Sequence, residues 1–276
     1  MPDSDDKGPG RLTKVLLWLG ALLTAIVTAW LTDAFGLLLR PADLLDSGRP
    51  PILVTVLHGA GGEQGLAVAA LPTAPPDRAA FLSGRFGDRA FGDVVAKLGG
   101  ARVGRTIARV IFESQRDLVR VTDVRVKETA PEQPVVTAAF VEHPRQGGTD
   151  NPQLTVSLDA PNPYFTRVGA PGRPFFGPHS LPLKRGEQTE LGLRIDARAH
   201  SHTFVLEVEY VEAGSGKQRT LTVKDPDGRP FRVTGAPAAA TGYGTVYRNT
   251  GAGLRAVTGR AACELLNPER ACTSAR

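Results

Sequence analysis

Val15 to Thr32, VLLWLGALLTAIVTAWLT, is a run of eighteen residues without a single charge, set between Lys14 and Asp33. A helix rises about 1.5 Å per residue, so the run covers about 27 Å, close to the ~30 Å of hydrocarbon in a bilayer. The spacing predicts a transmembrane helix, extendable to residues 15–39 if Asp33 sits at the interface. Trp18 and Trp30, the only tryptophans, fall near its two ends, where amphipathic rings favour the headgroup region. Two other readings fit less well. Signal peptides carry apolar regions of roughly 7–15 residues before a small-x-small cleavage site, whereas this run is longer and ends in Ala29-Trp30-Leu31-Thr32-Asp33. A buried core helix of this kind needs a large helical domain around it, and the rest of the chain is rich in Pro, Gly and alternating segments.

Orientation follows from the flanks. Lys7, Arg11 and Lys14 precede the span, while Arg40 and Arg49 follow it among Asp33, Asp43 and Asp46. The positive-inside rule then leaves residues 1–14 in the cytoplasm and carries the C-terminal part out of it. Within the span Gly20, Thr24 and Thr28 recur every fourth residue, as do Ala21, Ala25 and Ala29. Small residues at that spacing let two helices approach closely, which could support a homodimer. The opposite topology, with a cytosolic domain tethered to the inner leaflet, stays open as an alternative.

Beyond a Pro-bounded stalk at 40–50, the pattern is that of strands. Ile52 to Leu57 is short, β-branched and bounded by Pro51 and His58-Gly59. Gly61 to Pro76 reads as a long loop. Phe91 to Leu98, ended by Gly99-Gly100, is the one plausible helix outside the membrane. Thr106 to Glu113, Val119 to Glu128, Val135 to Glu142 and Gln153 to Leu158 come next as strands. Later, Leu191, Leu193 and Ile195 alternate with polar partners, as do Phe204, Leu206, Val208 and Tyr210, giving each strand one dry and one wet face. Turns at Gly214-Ser215-Gly216 and Asp225-Pro226-Asp227-Gly228 separate strands Lys217 to Lys224 and Arg229 to Thr234. The fold class expected is mainly β: the N-terminal transmembrane helix, then an antiparallel β-sandwich, Ig-like or related, with one short helix, over residues 51–235. Residues 236–276 read as a Gly/Ala-rich tail. Cys263 and Cys272, the only cysteines, are disulfide candidates in an oxidising compartment, closing a loop worth about 2–3 kcal/mol in the chain-entropy model.

ARVIFESQRDLVRVTDVRVKE (108–128) and FFGPHSLPLKRGEQTELGLRIDARAHSHTFVLEVEYVEAGSGKQRTLTVKDPDGRPFRVTG (175–235) carry a resemblance. In these segments and in its layout, the chain resembles a set of actinobacterial proteins of unknown function with a single N-terminal membrane helix. They share a "VRVTDVRV" strand, an "ELEVEY…G" hairpin and a closing "D.GRPFR.TG". The resemblance implies a β-sandwich ectodomain and supplies no catalytic residue.

Three local patterns suggest chemistry. Leu57-His58-Gly59-Ala60-Gly61-Gly62 after a strand is like an α/β-hydrolase oxyanion loop, but no G-x-S-x-G elbow follows; Ser83 and Ser215 sit in turns. Gly99 to Thr106, GGARVGRT, matches a P-loop with Arg105 in the place of Lys. A helix precedes it and a strand follows, the reverse of what phosphate cradling needs, so glycine turn geometry explains it better. His200-Ser201-His202 places two imidazoles at i and i+2, on one side of a strand, where both could reach a metal, with Asp196, Glu207 or Glu209 as a conceivable third ligand. A polar turn is the simpler reading.

No cofactor is expected, and no Lys/Arg cluster with interleaved aromatics points to nucleic acid. The formal charge of +5 favours anionic surfaces such as lipid headgroups or wall polymers. The sequence therefore leads to a membrane-anchored, non-catalytic binding or interaction module at the cell envelope, its partners the bilayer and another envelope protein or an anionic polymer. The alternative is a metal-dependent envelope protein using His200 and His202.

Overall fold

The computed structural model describes residues 50–58, 65–143, 152–214, 216–238, 242–267 and 272. The chain divides after Pro50, and all of its described helices and strands belong to the unit that starts at Pro51. The span at 15–39, with the Gly20/Thr24/Thr28 face and the flanking tail and stalk, lies outside the described residues. Among the described residues no helix is long and apolar enough to cross a membrane.

In chain order, β1 (Ile52–His58) and β2 (Gly65–Val68) are followed by α1 (Pro75–Leu82) and α2 (Arg89–Lys97). Then come β3 (Ala101–Val103), β4 (Arg105–Ser114), β5 (Leu118–Glu128), β6 (Ala139–Glu142), β7 (Leu154–Ser157), β8 (Thr166–Arg167) and β9 (Leu181–Lys184). β10 (Gln188–Asp196), β11 (Ser201–Glu212), β12 (Gln218–Val223), β13 (Phe231–Thr234), β14 (Thr245–Asn249), β15 (Leu254–Val257) and α3 (Gly259–Leu266) complete it. A five-stranded sheet runs β1-β4-β10-β7-β8, and a ten-stranded one runs β15-β14-β6-β2-β3-β13-β11-β5-β9 with β12 also on β11.

The protein is thus mainly β, with two sheets facing each other as in a sandwich. The alternation that marks β4, β5, β10 and β11 in the sequence is what builds it: Val110 and Phe112, Leu191 and Leu193 on one sheet meet Val119, Val121, Phe204, Leu206 and Val208 on the other. Cross-strand rings reinforce the pairing, Phe204 stacking on its β13 partner Phe231 at a centroid distance of 5.3 Å.

The far half of the long sheet is built differently. Leu66, Val68 and Val141 on one face pack against Phe81, Phe91 and Val94 of the helices α1 and α2. Ala67, Phe140 and Val246 on the other face pack with Tyr243 and the partly buried Leu265 and Leu266 of α3. All four residues of β2 are therefore buried, because both faces are covered. That explains why Gly65–Val68 shows no alternation and why its stretch reads as loop in the sequence.

Other departures have equally local causes. The sheets are mixed rather than wholly antiparallel: β7/β10, β3/β13 and β6/β14 pair in parallel. Hairpin turns in a sequence announce antiparallel neighbours, whereas a parallel neighbour arrives through a long connection without a local signature. There are three helices among the described residues rather than one. α1 opens on Pro75 and Pro76 with Asp77 in its first turn, a start that suits helix N-termini but is too short to show a period. α2 begins at Arg89 because the Asp88 side chain accepts the Ala90 amide at 3.0 Å. Residues 236–276, read as a tail, contribute β14, β15 and α3, and Cys263 and Cys272 are joined with a Cα separation of 5.9 Å.

Candidate functional site

Register places the site. Arg102 in β3 is paired with Leu66 of β2 on one side and with Val233 of β13 on the other. Paired residues share a face of the sheet; Leu66 belongs to the core under α1 and α2, and Val233 to the sandwich core. The two helices and the five-stranded sheet therefore lie side by side on one face of the long sheet, and Arg102 stands where their cores meet. A cavity of about 500 Å³ opens there.

Glycines make the approach possible. Gly99 ends α2 with a φ of 70°, and a Cβ at Gly100 would fall 2.2 Å from Val95 Cγ1 and 2.8 Å from the Val95 carbonyl oxygen. Only glycine lets the chain double back under α2 and deliver Arg102 two residues later. Apolar walls come from Leu66, Phe86, Phe91, Val95, Ala96 and Phe231. His58 at the end of β1, His143 after β6, and the β12–β13 turn with Asp225, Asp227 and Arg229 add the polar groups. The Phe86 and His143 rings meet edge to face at 4.6 Å.

The turn is self-contained. Asp225 Oδ1 accepts the amides of Asp227 at 3.0 Å and Arg229 at 2.8 Å, and the Arg229 guanidinium binds the Asp93 carboxylate and donates to the Gly92 carbonyl at 3.1 Å. Burial pushes the Asp225 carboxyl above its ordinary range, with the nearby Asp227 charge acting the same way against two backbone amides. Deeper in, burial lowers the Arg102 guanidinium to about 10, with Asp225 and Asp227 opposing the shift. It remains charged at neutral pH. Thr106, 1% exposed, lines the cavity with its hydroxyl making no hydrogen bond. A second hollow of about 430 Å³ adjoins, sharing Phe86, Gly92, Asp227 and Arg229 and adding Asp88, Arg89 and Asp93 as a charged margin.

His58 is held neutral. Crowding by protein atoms, then the charges of Arg102 and His143, push its pKa from 6.5 down to about 3. Below pH 6.5 the unfolded chain takes up a proton that the folded one refuses, so stability falls as pH drops from 6.5 towards about 3. Solvent on the exposed flank of His58 screens part of the effect. The imidazole resonances of His58 should accordingly titrate well below 6.5 in an NMR pH series and move upward in Arg102→Ala; a wild-type midpoint at 6.5 contradicts the placement.

Two of the three patterns singled out in the sequence meet here. His58 comes from LHGAGG, of which Gly59 to Gly62 lie outside the described residues, and Gly100, Arg102 and Thr106 come from GGARVGRT. In the latter α2 precedes and β3 follows, so no helix N-terminus faces the glycines. Asp225, Asp227 and Arg229 belong to the DPDGR turn. None of these is a sequence candidate, although Asp227 and Arg229 flank Gly228 in the turn. The third pattern is brought together elsewhere: His200 and His202 lie with Glu132 and Asp159, while Asp196 bonds Arg105 and Arg194, and Glu207 and Glu209 pair with Lys127 and Arg125. No protein-family model and no curated protein sequence matches the chain.

Proposed function

We propose that this chain is a single-pass membrane protein whose β-rich domain is a non-catalytic binding module at the cell envelope, taking a small anion with an apolar body into the cavity beside Arg102. The observation that carries this reading is the cavity itself: about 500 Å³, a size suited to a small molecule, walled by aromatic and aliphatic side chains around the deep Arg102 guanidinium, with Arg229 and Arg232 also on its lining. A carboxylate or similar group on Arg102 would gain charge-assisted hydrogen bonds away from bulk water while the apolar body covers Phe86, Phe91 and Leu66.

The remaining groups favour binding over turnover. His58 holds a proton too weakly to act as acid or base near neutral pH, and the Thr106 hydroxyl has no base within hydrogen-bond reach to activate it. The uncharged run at Val15–Thr32 supports the anchor, and the Cys263–Cys272 disulfide favours an oxidising compartment for the domain. The resemblance to anchored actinobacterial proteins supports the same layout.

Naphthoate, a flat apolar ring with one carboxylate, is a suitable probe. Titrated into the full chain in lipid nanodiscs, with empty nanodiscs as reference, it should bind saturably at one per chain. Ala96→Phe, which adds a ring to the cavity wall, should weaken it about tenfold or more, the worth of about 1.4 kcal/mol. Equal binding by wild type and Ala96→Phe removes the cavity from consideration.

A further inference from the structure

His202 opens β11 on the face that its strand gives to Phe204 and Leu206, and its side chain is completely buried. Its two nitrogens both meet carboxylate oxygens: Nδ1 lies 2.7 Å from Glu128 Oε1 and Nε2 lies 3.3 Å from Asp159 Oδ1. A neutral imidazole carries one N–H. The shorter contact takes it, an assignment made from the hydrogen-bond geometry, and Nε2 is left presenting a lone pair to a carboxylate oxygen.

His200 repeats the problem without the remedy of a hydrogen bond. Its Nδ1 is sealed from solvent and has no hydrogen-bond partner, yet it stands 3.6 Å from Asp159 Oδ1 and 3.7 Å from Glu132 Oε2. Donor atoms of Glu132, His200 and His202 all lie within 4.8 Å of one another. Electron-rich atoms this close repel unless a proton or a cation sits among them. Protonating His202 would settle its own Nε2 and leave His200 Nδ1 as it is.

The separations also have the right size. A tetrahedral site with bonds of about 2.0–2.1 Å has ligand-to-ligand edges of about 3.3–3.4 Å; His200 Nδ1 stands 3.7 Å from Glu132 Oε2, and the ligand atoms of Glu132, His200 and His202 all lie within 4.8 Å. Around this set the supporting contacts are those a metal site needs. The Nδ1–H of His202 donates to Glu128, fixing the tautomer that leaves Nε2 free to ligate. Asp159 is oriented by the amides of Arg198 at 2.6 Å, Ala199 at 3.3 Å and His200 at 3.2 Å.

We propose that Glu132, His200 and His202 bind one divalent cation of the zinc type, with Glu128 as the positioning residue. Two imidazoles and a carboxylate suit zinc over the oxygen-only preference of calcium and magnesium. Asp159 follows β7 of the five-stranded sheet, whereas Glu132 follows β5 and His202 lies in β11 of the ten-stranded one. Asp159 Oδ1, 3.3 Å from His202 Nε2, brings the loop after β7 against the site.

The test uses the tag-free full chain in detergent, stripped of metal and titrated with Zn²⁺ against a chromophoric chelator. One Zn²⁺ per chain is expected, with an intense tetrahedral visible spectrum when Co²⁺ replaces it. His200→Ala, whose side chain is 44% exposed in the wild type and so tolerates removal, should bind about a hundredfold more weakly or worse with unchanged circular dichroism. Glu128→Gln should lose about ten- to a hundred-fold, as carboxylate partners of metal-bound histidines do. Zn²⁺ should raise the unfolding temperature of the wild type and not of His200→Ala. Absence of stoichiometric Zn²⁺, or equal affinity in wild type and His200→Ala, overturns the proposal; the second result would assign the ion to other histidines.

Discussion

Phe204→Ala is expected to cost about 3–5 kcal/mol of stability, the range for deleting a fully buried aromatic side chain. Phe204 is 0% exposed, stacks on Phe231, and sits on β11, the strand bonded to β5, β12 and β13 at once. Removing its ring leaves a hole between two sheets whose spacing is fixed by the other side chains, so little collapse can offset the loss. Against a typical total of about 5–15 kcal/mol for a domain, that is a large share. Phe204→Leu should lose much less, on the order of 1–1.5 kcal/mol, because most of the volume is kept. Denaturant unfolding followed by circular dichroism measures both. A loss under about 1 kcal/mol for the alanine variant would be incompatible with a packed sandwich at this point.

Arg102→Ala should weaken naphthoate binding by about ten- to a hundred-fold, the worth of a hydrogen bond to a charged group at about 1.5–3 kcal/mol. The uncharged naphthamide should be almost unaffected, since the apolar walls at Phe86, Phe91 and Leu66 remain. Arg102→Lys keeps the charge but lacks the planar fork, so its loss should fall between wild type and alanine. The amide and the carboxylate together separate the two contributions: a parallel fall in both would mean that Arg102 shapes the cavity and does not read the anion. Competition by Asp225 and Asp227 for the same guanidinium sets an upper limit on the preference, and Asp225→Asn should strengthen naphthoate binding modestly.

The strands most readable in the sequence are those with one wet and one dry face. β4 and β5 fall within a residue of where alternation places them, and β10 and β11 contain the alternating runs but each begins three residues earlier, because side chains on an antiparallel sandwich strand alternate between core and solvent. β2 is covered on both sides and carries no such mark. α1 has eight residues and a short apolar stripe. The parallel pairings of β3 with β13 and β6 with β14 join segments more than a hundred residues apart, and no local turn announces them.

The candidate sites divide along the same line. His200 and His202 are legible as a pair because they stand two residues apart, although His200 lies in the bend before β11 and not on the strand with His202. Their partners Glu132 and Asp159 arrive from loops after β5 and β7, whereas Asp196, Glu207 and Glu209, nearer in sequence, spend their charges on arginines and a lysine. Arg102, His58 and Asp225 look like isolated turn residues until β3 is registered between β2 and β13.

By itself the sequence determined the uncharged run at 15–32, the strand-rich character of the chain beyond residue 50, the alternating faces of the sandwich strands and the pairing of the two histidines. These rest on short-range physics: side-chain period, helix rise and turn chemistry act over a few residues. The tertiary structure decided which strands are neighbours, where the helices lie on the long sheet, and hence which charges share the cavity beside Arg102 and which carboxylates face His200 and His202. Burying apolar faces selects those neighbours, and that free energy depends on area removed from water rather than on distance along the chain. Groups brought together in this way leave no local pattern to read.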